Sequence, residues 1–124
     1  MNQPAMPDPQ TLDPSAIESL RSLSPDDGAF LRELVEIYLQ DTPVRLAEVE
    51  AALAKNDAST LMRAAHTIKG SSSNFGATKL ALLSHEIELH GKSGNCSAAT
   101  PILPGLKAEY ALVAQALKQI INGT

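Results

Sequence analysis

The chain has 124 residues, enough for one domain with a modest core and too few for two. Hydrophobic residues make up 44% of it while aromatics are 3% and tryptophan is absent, so the core has to be built from Leu, Ile, Val and Ala, which favours helices packed on helices. A net charge of -4 with no basic run excludes the footprint of a nucleic-acid binder, and a single cysteine, Cys96, excludes an internal disulfide.

Residues 1–12 hold three prolines among polar residues and read as a tail, with one domain expected over residues 13–122. There is neither a basic start nor an apolar run of signal-peptide length, and no segment approaches the ~20 apolar residues of a membrane span. A soluble, cytoplasmic protein in a reducing compartment is expected.

Asp13 before Pro14 predicts an N-cap and a first-position proline for a short helix to about Leu23. Ser24-Pro25-Asp26-Asp27 repeats the device ahead of a long helical pattern through Phe30, Leu34, Ile37, Leu46, Val49 and Leu53. Pro43 in its middle predicts a kink or break after Asp41, with Thr42 capping a restart. Asn56 and Asp57 end that element and cap the next, over about 58–74. Gly76 is the hinge into a helix over about 78–90, which Gly91 and Gly94 are expected to stop. Pro101 and Pro104 mark the start of the last helix, with the stripe Leu103, Leu106, Tyr110, Val113, Leu117 and Ile121. No strand pattern is present. The expected fold is all-α, an antiparallel four-helix bundle with one additional short N-terminal helix.

The stretch AHTIKGSSSNFG, residues 65–76, interrupts a helical pattern with a glycine and three serines. At about 100° per residue, Leu61, Ala64, Ala65, Ile68, Ser72 and Phe75 fall on one core-facing stripe. His66 lies about 140° from that stripe, on an outer side shared with Met62, Lys69, Gly70 and Ser73. A neutral imidazole is a competent nitrogen nucleophile near pH 7, and histidine forms covalent intermediates in group transfer. A phosphoryl group on its tip would need donors. Lys69, three residues on, is placed to supply a charge, and Gly70 leaves room at a cost of roughly 1 kcal/mol in helix propensity relative to Ala. The serine hydroxyls are available to the ring, the phosphate or the backbone.

The segment AHTIKGSSSNFGA followed by LALLSHEIELHGKSG resembles the signature of the histidine-containing phosphotransfer (HPt) domain, H-x-x-K-G with small residues after it, a glycine turn, spaced leucines and a closing G-K. LDPSAIESL and FLRELVEIYLQDTPVRLAEVEAALAKND are similar to that family as well, so the likeness extends over about residues 11–121. His85, His90 and the two prolines that open the last helix lie outside the pattern. The resemblance implies a helical bundle in which His66 is the phospho-acceptor, Lys69 the phosphate-side cation and Gly70 the clearance residue. It implies a phosphorelay carrier rather than an enzyme with its own kinase activity. The partners it implies are response-regulator receiver domains, with a hybrid sensor histidine kinase as a further source of phosphate. Magnesium and the aspartate would come with the receiver, and the chain itself is expected to bind no cofactor and to act as a monomer.

His85 and His90 point about 140° apart on their helix and neither shares a face with His66 by spacing, so no metal site is expected. Glu86 and Glu88 read as a solvated helix face. Leu82 and Leu89 lie opposite Leu80, Leu83 and Ile87. Leu31, Val35 and Tyr38 widen the apolar face of the long helix beyond the needs of one core. With Ile17 and Leu20 they are expected to form a patch that receives a partner, to which Met62 and Ser73 on the His66 side are added. The alternative to a carrier is a bundle that docks a receiver or kinase without carrying phosphate.

Overall fold

The computed structural model describes residues 8–23 and 28–122. Helix α1 is Pro14–Ser22 and opens as its sequence requires: Asp13 accepts a hydrogen bond from the Ser15 amide at 3.0 Å, and Pro14 takes a first-turn position whose N–H would be unpaired in any case. The Ser24–Asp27 cap lies outside the described residues. Helix α2 is Ala29–Lys55, ended by Asn56 in the left-handed conformation with φ 56°. Asp57 then caps α3, Ala58–Ser73, by accepting from the Thr60 amide at 3.2 Å. Helix α4 is Thr78–Lys92, α5 the short Cys96–Ala99, and a single 3₁₀ turn over Thr100–Ile102 leads into α6, Leu103–Asn122. No strand occurs among the described residues.

The short connections Asn56–Asp57 and 74–77 force α2, α3 and α4 to run antiparallel, and α6 closes the bundle against α2 and α4. Leu61, Ile68, Leu80, Ile87, Leu106, Val113 and Leu117 are fully buried between the four long helices. None of the helices among the described residues is long and apolar enough to cross a membrane.

The structure departs from the spacing-based expectations at several places. Helix α2 does not break at Pro43: Tyr38, Thr42, Val49 and Ala52 are buried on one continuous face either side of it. Pro43 itself is exposed, so its lost hydrogen bond faces water and core packing outweighs the local defect. The expected tail reaches too far, because Leu12 is fully buried in the core and Thr11 is nearly so. Gly91 does not stop α4 but lies inside it, buried against α3, where a Cβ would come within 3.1 Å of the Ala58 carbonyl oxygen and the Met62 amide nitrogen. Gly94, with φ 75°, ends that segment of chain.

The expected docking patch is not on the surface. Ile17, Leu31, Val35 and Tyr38 are core residues, and Leu20 is half-buried. Helix α1 lies over the first half of α2 and absorbs the surplus apolar face, held there by Asp13, whose amide donates to the Gly76 carbonyl at 3.0 Å. Gly76, at φ 68°, approaches α1 so closely that a Cβ would sit 2.6 Å from that of Asp13. Tyr38 pairs its hydroxyl with Ser72 Oγ at 2.8 Å and sets its ring edge-on to Phe75, centroids 5.0 Å apart. Burial pushes its phenol up to about 12, against the opposing pull of the Ser72 hydrogen bond. Ile37, part of the apolar helical pattern of the long helix, is 56% exposed.

Candidate functional site

Every residue of the core stripe on α3 is buried: Leu61, Ala64, Ala65, Ile68 and Ser72, with Phe75 just beyond the helix. That fixes the helix's rotation and turns His66 outward, its side chain 65% exposed. The ring is not free to turn. Its Nδ1 lies 2.7 Å from Oε2 of Glu88, on α4, and Lys69 Nζ donates to Oε1 of the same carboxylate at 2.7 Å. Glu88 is 8% exposed, in the α3–α4 seam that Gly91 brings close together.

Burial by itself raises a carboxyl's pKa, but here hydrogen bonds from Lys69, His66 and His85 outweigh it and hold Glu88 down to about 2, from an ordinary 4.5. Glu88 is therefore ionised at neutral pH and only accepts hydrogen bonds. The hydrogen in the His66 contact must then sit on Nδ1, which in the neutral ring leaves the lone pair on Nε2, the nitrogen away from Glu88. One buried carboxylate orients the imidazole and decides which ring nitrogen keeps its lone pair.

Glu88 was expected on a solvated face, and this reading is corrected. Its backbone neighbours Ala81, Ser84 and Gly91 are small and recur at helical spacing, so α4 packs close against α3 along that line and the acid is drawn into the seam. His85 is corrected too. It shares no helix with His66, yet packing brings its Nδ1 to 3.4 Å from both Glu88 Oε1 and Lys69 Nζ. That nitrogen either donates to the carboxylate or accepts from the ammonium, since one ring nitrogen cannot do both at once.

Gly70 is exposed, and a Cβ there would meet nothing within 4 Å, so the surface beside His66 is open. The serines are turned elsewhere. Ser71 and Ser73 donate to the Thr67 and Lys69 carbonyls at 2.9 and 2.8 Å, and Ser72 is taken by Tyr38. Met62 is half-buried and lines a cleft of about 450 Å³ with His66, Arg63 and Glu88; Ser73 lines a second, of about 380 Å³, with Lys69, Leu82 and His85. Among the described residues, no group of His, Cys, Asp and Glu is arranged to hold a metal ion.

A reactive-looking histidine tethered to a carboxylate and flanked by an ammonium is chemistry that several folds could carry, and comparison with known proteins decides which family this is. The family model described as the Hpt domain matches residues 33–121. The chain belongs to that family. Histidine-containing phosphotransfer protein B (HptB) from Pseudomonas aeruginosa PAO1 superposes on it with a TM-score of 0.81 at 32% identity, over 88% of this chain and 92% of that one. The multistep phosphorelay regulator 1 of Schizosaccharomyces pombe is 29% identical over 85 residues, 68% of this chain and 29% of that protein. The chain thus spans under a third of the length of that curated relative. Membership carries the HPt role at the level of the domain, that of a histidine phosphotransfer carrier in phosphorelay signalling.

Proposed function

We propose that His66 Nε2 takes a phosphoryl group from the aspartyl phosphate of a receiver domain and passes it to another receiver. The observation that carries the assignment is the 2.7 Å contact between His66 Nδ1 and the buried Glu88 carboxylate. In the forward step the Nε2 lone pair attacks phosphorus and an N–P bond forms. The bond from phosphorus to the aspartyl oxygen breaks, and its electron pair leaves with the receiver's carboxylate. The Nδ1 proton stays where it is, so the ring becomes cationic, and Glu88 supplies the opposing charge. Return transfer runs the same events backward. In-line placement and neutralisation of charge are the chief demands of such a reaction, and the bundle meets them with fixed groups.

Lys69 takes part while remaining on Glu88. An ammonium has three donors, and the carboxylate engages one at 2.7 Å. Magnesium and the phosphorylated aspartate belong to the receiver in this reading, and the chain works as a monomeric, cytoplasmic carrier without kinase activity of its own. A bundle that only docked its partner would have no use for a buried carboxylate that fixes a surface imidazole's tautomer, which favours the carrier over the docking module. Incubation with phosphorylated receiver domains tests the proposal: label should move to this chain and be acid-labile and base-stable, as a phosphoramidate is. Receivers that discharge without labelling it would contradict the reading.

A further inference from the structure

Building on that reading, we propose that Arg63 is a second cation of the site, meeting the phosphoryl group on the side of His66 opposite Lys69. The charge balance leaves a place for it. Once Nε2 is phosphorylated, Lys69 and the cationic ring together offset Glu88 and one of the two phosphoryl charges. The other charge has no partner in the cluster.

Among the described residues, three lysine and arginine side chains reach the surface around His66, and two of them are committed. Lys69 is held by Glu88 at 2.7 Å. Arg45, on α2, is clamped between Glu48 at 2.7 Å and Asp41 at 3.2 Å. Arg63 is different. Its guanidinium makes a 3.4 Å contact with the Thr60 hydroxyl, at the long limit of a hydrogen bond. Asp57, the acid whose field it shares, is already engaged by the Thr60 amide and hydroxyl at 3.2 and 2.7 Å.

Placement agrees with availability. Arg63 stands three residues before His66 as Lys69 stands three after, and residues three apart on a helix are surface neighbours, about 5–6 Å between Cβ atoms. Helical side chains lean toward the N-terminus, which tips the imidazole toward the turn that carries Arg63. Both residues line the same cleft of about 450 Å³. Gly70, one turn past His66, adds no side chain to this face, and beyond the helix's own backbone nothing stands within 4 Å of a would-be Cβ there, so the imidazole's outer side is open to a phosphoryl group that Arg63 meets from the preceding turn. A guanidinium's planar fork suits two phosphoryl oxygens at once, which an ammonium cannot match.

The test uses the full chain and two donors: a phosphorylated receiver, and phosphoramidate, a small molecule whose P–N bond breaks with loss of ammonia as the Nε2–P bond forms. Rates of His66 labelling are measured for wild type, Arg63→Ala, Arg63→Lys and a surface control, Lys107→Ala. The expected result is a fall of about tenfold in Arg63→Ala with either donor, partial recovery in Arg63→Lys, and no change in the control. Wild-type rates in Arg63→Ala with both donors would overturn the proposal. So would a loss seen only with the receiver, which would make Arg63 a contact to the partner's surface rather than to phosphorus. Failure of wild type to label at His66 with either donor would instead overturn the carrier reading itself, and this proposal with it.

Discussion

His66 and Glu88 stand 22 residues apart on different helices, yet their side chains meet at 2.7 Å. The contact joins an exposed group to a buried one, so the orientation of a surface imidazole is set by the packing of α3 on α4.

Glu88→Gln tests that dependence. The amide is isosteric, but it carries no charge and offers Nδ1 either a carbonyl or an N–H group. The tautomer is then no longer enforced, and the cationic ring of the phosphorylated state loses its counter-charge. Phosphoryl acceptance should fall by about tenfold or more, one charge-assisted contact being worth roughly 1.4 kcal/mol or above. Helix content by circular dichroism should be unchanged. Labelling at the wild-type rate would make Glu88 a purely structural acid.

Two glycines on adjoining helices should respond in opposite ways. Gly70 opens on empty space, so Gly70→Gln should leave the melting temperature equal or higher, since a helix gains up to about 1 kcal/mol when glycine is replaced. Receiver-dependent labelling should nevertheless drop sharply, because the new side chain stands where a partner must approach. Gly91→Ala places a methyl 3.1 Å from backbone atoms of α3, which cannot move aside as a flexible side chain would. It should destabilise the bundle by about 1–3 kcal/mol and, by spreading the seam, pull Glu88 away from His66. Thermal melts together with labelling rates on the two variants check both expectations.

Most of this fold was legible in the sequence because its helices announce themselves. Asp13-Pro14 and Asp57 cap where spacing places them, and the stripe from Leu61 to Ser72 turns His66 outward without any tertiary information. Helix α2 was harder to read, because apolar residues lie on two of its faces and α1 covers the second. Spacing alone therefore does not separate exposed Ile37 from its apolar neighbours and sets Val35 and Tyr38 aside for a partner. Half of the site was hidden for a related reason. His66, Lys69 and Gly70 lie on one helix at three- and four-residue steps, whereas Glu88 and His85 reach them only across a helix–helix seam. Helical periodicity says nothing about which residues face one another over such a seam. The small residues Ala81, Ser84 and Gly91 were the available sign that α4 packs close enough for a carboxylate to be drawn in.

Stability should depend on acid in a definite window. Glu88 is held at about 2 in the folded chain against an ordinary 4.5, so the unfolded chain binds its proton first as pH falls. The stabilisation is therefore complete above about pH 4.5 and is lost as pH drops toward 2. With solvent screening by the exposed partners allowed for, it amounts to roughly 1–2 kcal/mol. Denaturant midpoints measured between pH 6 and pH 2.5 should fall more steeply in wild type than in Glu88→Gln. Parallel slopes would show that the carboxylate is not held as described.

If His66 is the acceptor, the phosphoryl group rides on its Nε2. The direct measurement is phosphorus NMR and peptide mapping of the chain after labelling from a phosphorylated receiver, made on wild type, His66→Gln, His85→Gln and His90→Gln. A single Nε2-phosphohistidine is expected at position 66, absent from His66→Gln and present in the other two variants. Label retained in His66→Gln, or a phosphoryl group found on Nδ1, the nitrogen that Glu88 holds, would contradict it.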